Sequence, residues 1–293
     1  MKNYSIIIPH HNIPDLLNRL LKTIPQKEDL EVIVVDDNSD INKKANINSS
    51  RKDVKVILLD PESSKGAGKA RNVGIEHATG KWLIFADSDD FFEDGFYDVI
   101  SHYVDAVEDI IYFCSESVDN DTLSSVDSRT DYANKMIKDG DLNNLRYHHY
   151  VPWSKMVRRE LVIDNDIRFE EVPVCNDVIF SILIGLKAKT VLAVNEPIYV
   201  STVRVGSLYY TSTKKRARMR LSAKLRANNI LIRNNLDKYK PNLLREAKKG
   251  KQYSNLTFLH WILLAIKEEG LYWFLVDIWN VIKYKYSKRV VNE

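Results

Sequence analysis

Only two cysteines, Cys114 and Cys175, occur in 293 residues, and no Cys-x-x-Cys pair exists. A disulfide-stapled scaffold and a cysteine-spaced zinc site are thereby excluded. Long apolar runs are also missing. The start, MKNYSIIIPHHN, holds three isoleucines before a proline. That run is too short for the core of a secretion signal, so a reducing, cytoplasmic location is expected. Residues 256–266 and 271–282 are apolar, yet each falls short of the ~20 residues a spanning helix needs. Joining them would place Lys267, Glu268 and Glu269 at mid-membrane, which is costly. No internal repeat or low-complexity tract is present. The chain is 44% apolar and 28% charged, the makeup of a folded domain rather than a disordered one. Its length suits one large domain or two modest ones.

Charge is unevenly divided. Residues 1–200 carry 23 Lys and Arg against 34 Asp and Glu, whereas residues 201–293 carry 20 against 6. An acidic body with a basic tail predicts an anionic partner for the tail. The run Lys214, Lys215, Arg216, Arg218 and Arg220 comes with no nucleic-acid-binding module, so nucleic acid is not expected. A polybasic patch beside acidic lipid fits better. Tyr272, Trp273, Phe274 and Trp279 make the last apolar run aromatic. Asp277, Asn280 and Lys283 form a narrow polar stripe along it, and Lys285, Lys288 and Arg289 follow. That pattern fits a helix lying in a membrane interface, at the inner face of the plasma membrane. Packing on the domain or on a partner subunit is the competing reading, and self-association stays open.

Along the first 90 residues, buried-type strands alternate with helical patterns. Strands are expected at 5–8, 31–35, 54–59 and 82–86, and helices at 15–24 and 68–78. This alternation predicts an α/β fold with a mostly parallel sheet and helices on both faces. Ligands of such sheets sit at the carboxyl ends of the strands. Pro9–Asn12, Asp36–Asp40 and Asp87–Asp90 all fall there. Further on, strands are expected at 110–113 and 190–194, and a polar loop at 119–131. A helix is expected at 177–186, buried through Val178, Ile179, Ile182, Leu183 and Leu186. From about residue 213 the pattern is helical and basic.

Asp87 and Asp89 lie one residue apart where a strand ends, so both can face one cation. Mg²⁺ or Mn²⁺ binds through such carboxylates together with a diphosphate. A helix N-cap or a solvated turn competes with that reading. Asp36 and Asp37 also follow a strand and can accept hydrogen bonds from a nucleoside, or form an Asx turn. KGAGKARNVG at 65–74 is not a Walker A loop, because Ala70 stands where Ser or Thr is required. Lys69 and Arg71 near its helix start can hold phosphate. The pairs His10/His11 and His148/His149 are adjacent rather than metal-spaced. His148, Trp153 and Lys155 are candidates for an acceptor groove, or for core and surface roles.

The ordered set SIIIPHHN, VVDDNSD, KGAGKARNVGIEHATGKW and LIFADSDDFF resembles the inverting glycosyltransferases of family 2, which have the GT-A fold. VPWSKMVRRELVIDNDIRFEE, NDVIFS and YVSTVRVGS extend the likeness to that family's bacterial polysaccharide enzymes, over roughly residues 3–210. The order and spacing of the set, more than any one motif, make it specific. The resemblance implies a GT-A domain with a nucleotide-sugar-binding half at 1–110, an acceptor-binding half at 111–212, and a basic helical region at 213–293.

It implies roles position by position. Pro9 and His11 line a nucleobase pocket with Asn12 beside them, His11 standing where the family often has Tyr. Asp37 recognises uracil or ribose, with Asp36 nearby, and Arg71 approaches the nucleotide. Asp87 and Asp89, with Ser88 between them, form the DxD element that holds Mg²⁺ or Mn²⁺, Asp89 being the direct ligand. Asp177 is the general base; the residue before it, commonly acidic in the family, is Asn176 here. Arg204 and Ser207 lie near the donor phosphates, and Thr202 stands where an Arg is common. The implied reaction moves one sugar from a nucleotide donor, UDP-linked, to a hydroxyl of a lipid-linked oligosaccharide. A nucleotide-sugar-binding protein with impaired catalysis is the alternative, and a nucleotidyltransferase a more distant one.

Overall fold

The computed structural model describes residues 2–45, 51–126, 130–204 and 213–290, with side chains to residue 282. It divides into two compact units, Met1–Ser207 and Leu208–Glu293.

The first unit is built on strands β1 (Tyr4–His10), β2 (Leu30–Asp36), β3 (Val54–Leu58), β4 (Trp82–Phe85), β5 (Phe91–Phe92), β6 (Ile110–Asp119), β7 (Lys155–Arg158) and β8 (Val191–Val203). Helices α1 (Pro14–Thr23), α2 (Ala67–His77), α3 (Phe96–Ser101), α4 (Thr130–Lys138), α5 (Leu142–His148), α6 (Arg159–Asp164) and α7 (Asp177–Lys187) connect them. The sheet order is β3-β2-β1-β4-β7-β6-β8-β5. β1 pairs in parallel with β2 and β4, and β2 with β3. β7 runs antiparallel between β4 and β6, β6 and β8 are parallel, and β5 closes the edge antiparallel to β8.

Period-two alternation sorts the apolar residues onto the two faces. Ile6, Ile8, Val32, Val34 and Ile84 pack beneath α1 and α3, with Leu17, Leu20 and Phe96. Ile7, Ile33, Val35, Leu83 and Phe85 pack beneath α2 and α7, with Ala70, Ile75, Phe180 and Ile184. Both faces are covered, so the central strands read as continuous apolar runs. Each large side chain so buried contributes roughly 1.5–3 kcal/mol.

Four expectations change. β6 and β8 run well past their apolar starts, through Ser115, Ser117 and Ser201, which are buried and polar. A register shift around Cys114, which stands opposite Pro197, divides the apolar part of that ladder from the polar part. β7 was not expected, because its four residues, KMVR, offer only Met156 and Val157 as apolar signal. α7 is buried on more than one side, through Phe180 and Ile184 as well as Val178, Ile179 and Ile182. Within the polar stretch, residues 119–124 make a tight turn around the Asp119 carboxylate, and α4 begins at Thr130.

The second unit holds α8 (Lys214–Arg233), α9 (Leu243–Lys248), α10 (Asn255–Glu269) and α11 (Leu271–Val290). Thr213, Asn242 and Ser254 cap the first three, each accepting from a backbone N–H three residues on. Gly270, at φ 89°, ends α10 in a conformation that suits glycine. The core is Leu221, Leu225, Leu243, Ala247, Trp261, Ala265 and Phe274. Beside it lies a buried ionic cluster. Lys240 Nζ is 2.5 Å from Asp277 Oδ1 and 3.7 Å from Glu269 Oε1. Asp277 Oδ2 accepts the Leu243 N–H at 2.7 Å, and Asn228 donates to Glu269. Asp277 is therefore buried; it is not part of an exposed polar stripe as expected.

Candidate active site

The carboxyl ends of β1, β2 and β4 carry the polar clusters to one edge of the sheet. At the β2 end, Asp36 turns inward. Its Oδ1 accepts the Ser39 N–H at 2.8 Å and its Oδ2 the Ala45 N–H at 2.7 Å. Both oxygens are committed to the loop and the residue is buried, so the expected role of Asp36 at a nucleotide is corrected to a structural one. His10 lies behind it, Nε2 3.1 Å from Lys43 O, and burial pushes its pKa down.

Asp37 differs. Its Oδ2 accepts the Gly66 N–H at 2.9 Å, while Oδ1 is buried with no hydrogen-bond partner. A buried carboxylate oxygen left in this state is costly unless a donor arrives. His11 Nδ1 is 3.0 Å from the Asp37 carbonyl, and its ring is exposed. Asn12, at φ 60°, accepts the Asp40 N–H and donates its own N–H to Ser39 Oγ. Pro9 is buried within β1.

The β4 end places Asp87, Ser88 and Asp89 in a turn tied to β8. The Tyr199 hydroxyl accepts the Asp87 N–H at 2.9 Å and donates to Asp90 Oδ2 at 2.9 Å. Thr202, in place of an arginine, gives its N–H to Asp90 Oδ1 at 2.7 Å and its hydroxyl to the Asp89 carbonyl at 2.7 Å. Trp153 stacks on Tyr199 at 5.2 Å. The acids are each held by one arginine: Arg71 Nη2 to Asp87 Oδ1 at 2.5 Å, and Arg204 Nε to Asp89 Oδ2 at 3.1 Å. Burial first, and the neighbouring Asp87 charge second, push the Asp89 pKa up, against the pull of Arg204. Ser88 is buried between the acids, and Ser207 lies outside the described residues.

No cluster of three or more His, Cys, Asp or Glu suited to a metal occurs among the described residues. A two-carboxylate site still fits Mg²⁺ or Mn²⁺, because these ions complete their shells with diphosphate and water. A cation here would relieve the like-charge strain that raises Asp89.

Arg71 is buried and does more than face the sheet edge. Its Nη1 donates to Asn176 Oδ1 at 2.7 Å, so one guanidinium joins Asp87 to the residue before Asp177. α2 holds that loop at two further points. Asn72 exchanges two hydrogen bonds with the Phe169 backbone. Gly68 lies so close that a Cβ there would fall 2.1 Å from the Glu170 carbonyl. Lys65 and Lys69 pair with Glu171 at 3.0 and 3.4 Å. Asp177 then opens α7, partly exposed.

Trp153 and Lys155 are fully buried, which removes them from any open groove. Lys155 Nζ donates to the His149 carbonyl at 2.8 Å and lies 5.2 Å over the Tyr112 ring. Burial pushes its ammonium down to about 7, and the charge that opposes this is Asp177. The link to Asp177 carries no local sequence signal, since it depends on β7 pairing with β6.

Residues 5–165 match the model of the family described as Glycosyl transferase family 2. The poly(ribitol-phosphate) beta-N-acetylglucosaminyltransferase TarS of Staphylococcus aureus (strain Mu50 / ATCC 700699) is 28% identical over 215 residues, which are 70% of this chain and 36% of that protein. The cholesterol galactosyltransferase of Borreliella burgdorferi (strain ATCC 35210 / DSM 4680 / CIP 102532 / B31) is 27% identical over 70% of this chain and 61% of that protein. The chain thus spans less than two thirds of the length of either relative. Among solved structures, S. aureus TarS 1-349 in complex with UDP-GlcNAc gives a TM-score of 0.69 at 20% identity, over 92% of this chain and 81% of that one. The mannosyltransferase PcManGT from Pyrobaculum calidifontis, in complex with GDP-Man and Mn²⁺, gives 0.58 at 13% identity, over 96% and 79%. The fold is the GT-A type that these enzymes share.

Proposed function

Because the chain belongs to glycosyl transferase family 2, we propose that it moves one sugar from a UDP-linked donor to a hydroxyl of a lipid-linked oligosaccharide, inverting the anomeric carbon. The setting is cell-surface polysaccharide synthesis at the cytoplasmic face of the plasma membrane, with contact through region 213–293. Residues 1–110 hold the donor and residues 111–212 the acceptor. The sugar is a hexose or an N-acetylhexosamine.

The observation that carries the donor assignment is Asp37 Oδ1, a buried carboxylate oxygen without a partner at the strand ends. A base imide N–H or a ribose hydroxyl supplies the missing donor. In this reading the exposed His11 ring stacks on the base, and Pro9 and Asn12 form the adjoining wall. Asp87 and Asp89 would hold Mg²⁺ or Mn²⁺, which supplies positive charge for the departing diphosphate. Arg204, now on Asp89, is the cation that can swing to a phosphate. Asp177 takes the proton of the acceptor hydroxyl as its oxygen attacks. One displacement needs no covalent intermediate, so no second nucleophile is required. UDP is expected to raise the melting temperature when Mn²⁺ is present and much less with EDTA. GDP, CDP and dTDP are the controls. No shift with any of the four nucleotides overturns the donor site.

Lys155 supports Asp177 from within. Its positive charge favours the Asp177 anion, so Lys155→Met should move the acidic limb of the kcat/KM profile to higher pH. The folded pKa, about 7, lies below the ordinary 10.5. Burying the charged form therefore destabilises the folded state fully below pH 7, and that effect fades as pH rises toward 10.5. Lys155→Met should raise the melting temperature most on the acidic side, while it harms turnover. A variant that loses activity equally at every pH would show Lys155 to be packing alone.

A further inference from the structure

The two helices of the C-terminal hairpin carry apolar residues on an outer side as well as on the inner side that holds Trp261, Ala265 and Phe274. α11 buries Asp277 and turns Leu275, Trp279 and Ile282 outward, and α10 buries Thr257 and Glu269 while exposing Leu259 and Leu263. With Tyr272, these six outward side chains are between 43% and 69% exposed. They recur at three- and four-residue steps, so each helix presents an apolar stripe opposite the side that packs on the Trp261–Phe274 core. A patch of this kind marks a contact surface rather than scattered exposed residues.

Charge identifies what it contacts. Residues 213–293 carry 19 Lys and Arg against 6 Asp and Glu. Three of those acids are consumed inside the unit: Glu246 pairs with Lys224 and Lys249, and Asp277 and Glu269 with Lys240. Each of these acids is matched by a lysine, so the pairing leaves the strong cationic excess of the unit intact, with few acids left to oppose it. A second copy of the same unit would bring like charge to the contact, which is costly. No described helix is long and apolar enough to cross a membrane. An apolar stripe on a basic, non-spanning hairpin matches a surface that lies in the plane of an anionic leaflet.

We infer that α10 and α11 form an in-plane docking surface for an anionic phospholipid bilayer, with Leu259, Leu263, Tyr272, Leu275, Trp279 and Ile282 entering the headgroup–acyl boundary. This rests on the proposal that region 213–293 meets the membrane, and it names the surface, its orientation and the lipid class. α11 brings Trp279 and Leu275 to the lipid, and its buried Asp277 anchors the helix to Lys240 from behind.

The test is flotation of the full-length chain with vesicles of phosphatidylglycerol mixed equally with phosphatidylcholine, and with vesicles of phosphatidylcholine alone. The chain should float with the first and hardly with the second. High salt should weaken binding, and tryptophan emission should shift to the blue. The double variant Leu275→Gln, Trp279→Gln should reduce partitioning by about tenfold or more. Both residues are exposed, so the fold should survive, and UDP binding in solution provides the check. Equal flotation of parent and variant overturns the inference. So does a parent that ignores both vesicles but forms an oligomer that the double variant breaks. Retained UDP binding without vesicle binding sinks this surface alone, whereas absent UDP binding sinks the donor site.

Discussion

Asp177→Asn is expected to lower kcat by about 10²–10⁴-fold and to leave donor affinity nearly unchanged. The amide keeps the size of the side chain and removes the basic oxygen pair. Asp177 opens α7 from a loop pinned to α2 at Phe169, Glu170 and Asn176. The substitution touches none of those attachments, so the backbone there should hold. Lys155, whose ammonium feels the Asp177 charge, then loses that counter-charge in a buried site, and its pKa should fall further from about 7. Single-turnover kinetics with radiolabelled donor, alongside calorimetric titration of UDP, separates the two quantities. A variant that transfers as fast as the parent would assign the base elsewhere and revive the reading of a binding protein without turnover.

Asp89→Ala is the second large effect. It should abolish the Mn²⁺-dependent part of the UDP stabilisation and cost about 10²–10³-fold in turnover, the scale for removing one preorganised electrostatic group. The change has two consequences that partly oppose each other. A carboxylate that burial and Asp87 push toward protonation disappears, which relieves the unliganded protein. Arg204 loses its partner at 3.1 Å and is released toward solvent or phosphate. The variant should therefore melt no lower than the parent in EDTA and should fail to respond to Mn²⁺ with UDP. A full response to both would exclude Asp89 as a ligand. Asp90→Ala is a useful contrast. Asp90 is buried and accepts from Tyr199 and Thr202, so its loss should lower the melting temperature whether or not ligand is present.

Much of the first half was legible because its signals are local. Strands β1 to β4 carry runs of branched apolar residues, and Asp37, Asp87 and Asp89 come directly after such runs. What sequence could not show depends on contacts between distant segments. Asp36 and Asp37 are adjacent and chemically identical, yet one is used up by the backbone of Ser39 and Ala45 and the other keeps one buried oxygen without a hydrogen-bond partner. Arg71 was readable as a cation near phosphate, but its partner Asn176 lies 105 residues away. β7 was invisible because two apolar residues define no period. In α11 Asp277 and Asn280 are spaced as one polar stripe, but periodicity does not say which residue faces inward: Asp277 is buried and Asn280 exposed. Lys240, from a different element, settles that by drawing Asp277 into the interior.

The guanidinium of Arg71 bears on how this chain can change over generations. Family resemblance puts an acid where Asn176 stands, and the reason an amide is accommodated lies in the bond at 2.7 Å. A neutral oxygen satisfies one arm of Arg71 and leaves its whole positive charge to Asp87. Placing an acid at 176 would set two carboxylates competing for one cation, so Asp87 at the end of β4 would feel a substitution made in the loop before α7. Substitutions at 71, 87 and 176 should therefore couple: the effect of changing any one is expected to depend on the identity of the other two. A change at any one of the three alters the number of negative neighbours that share the Arg71 charge, and the other two positions set what that change costs.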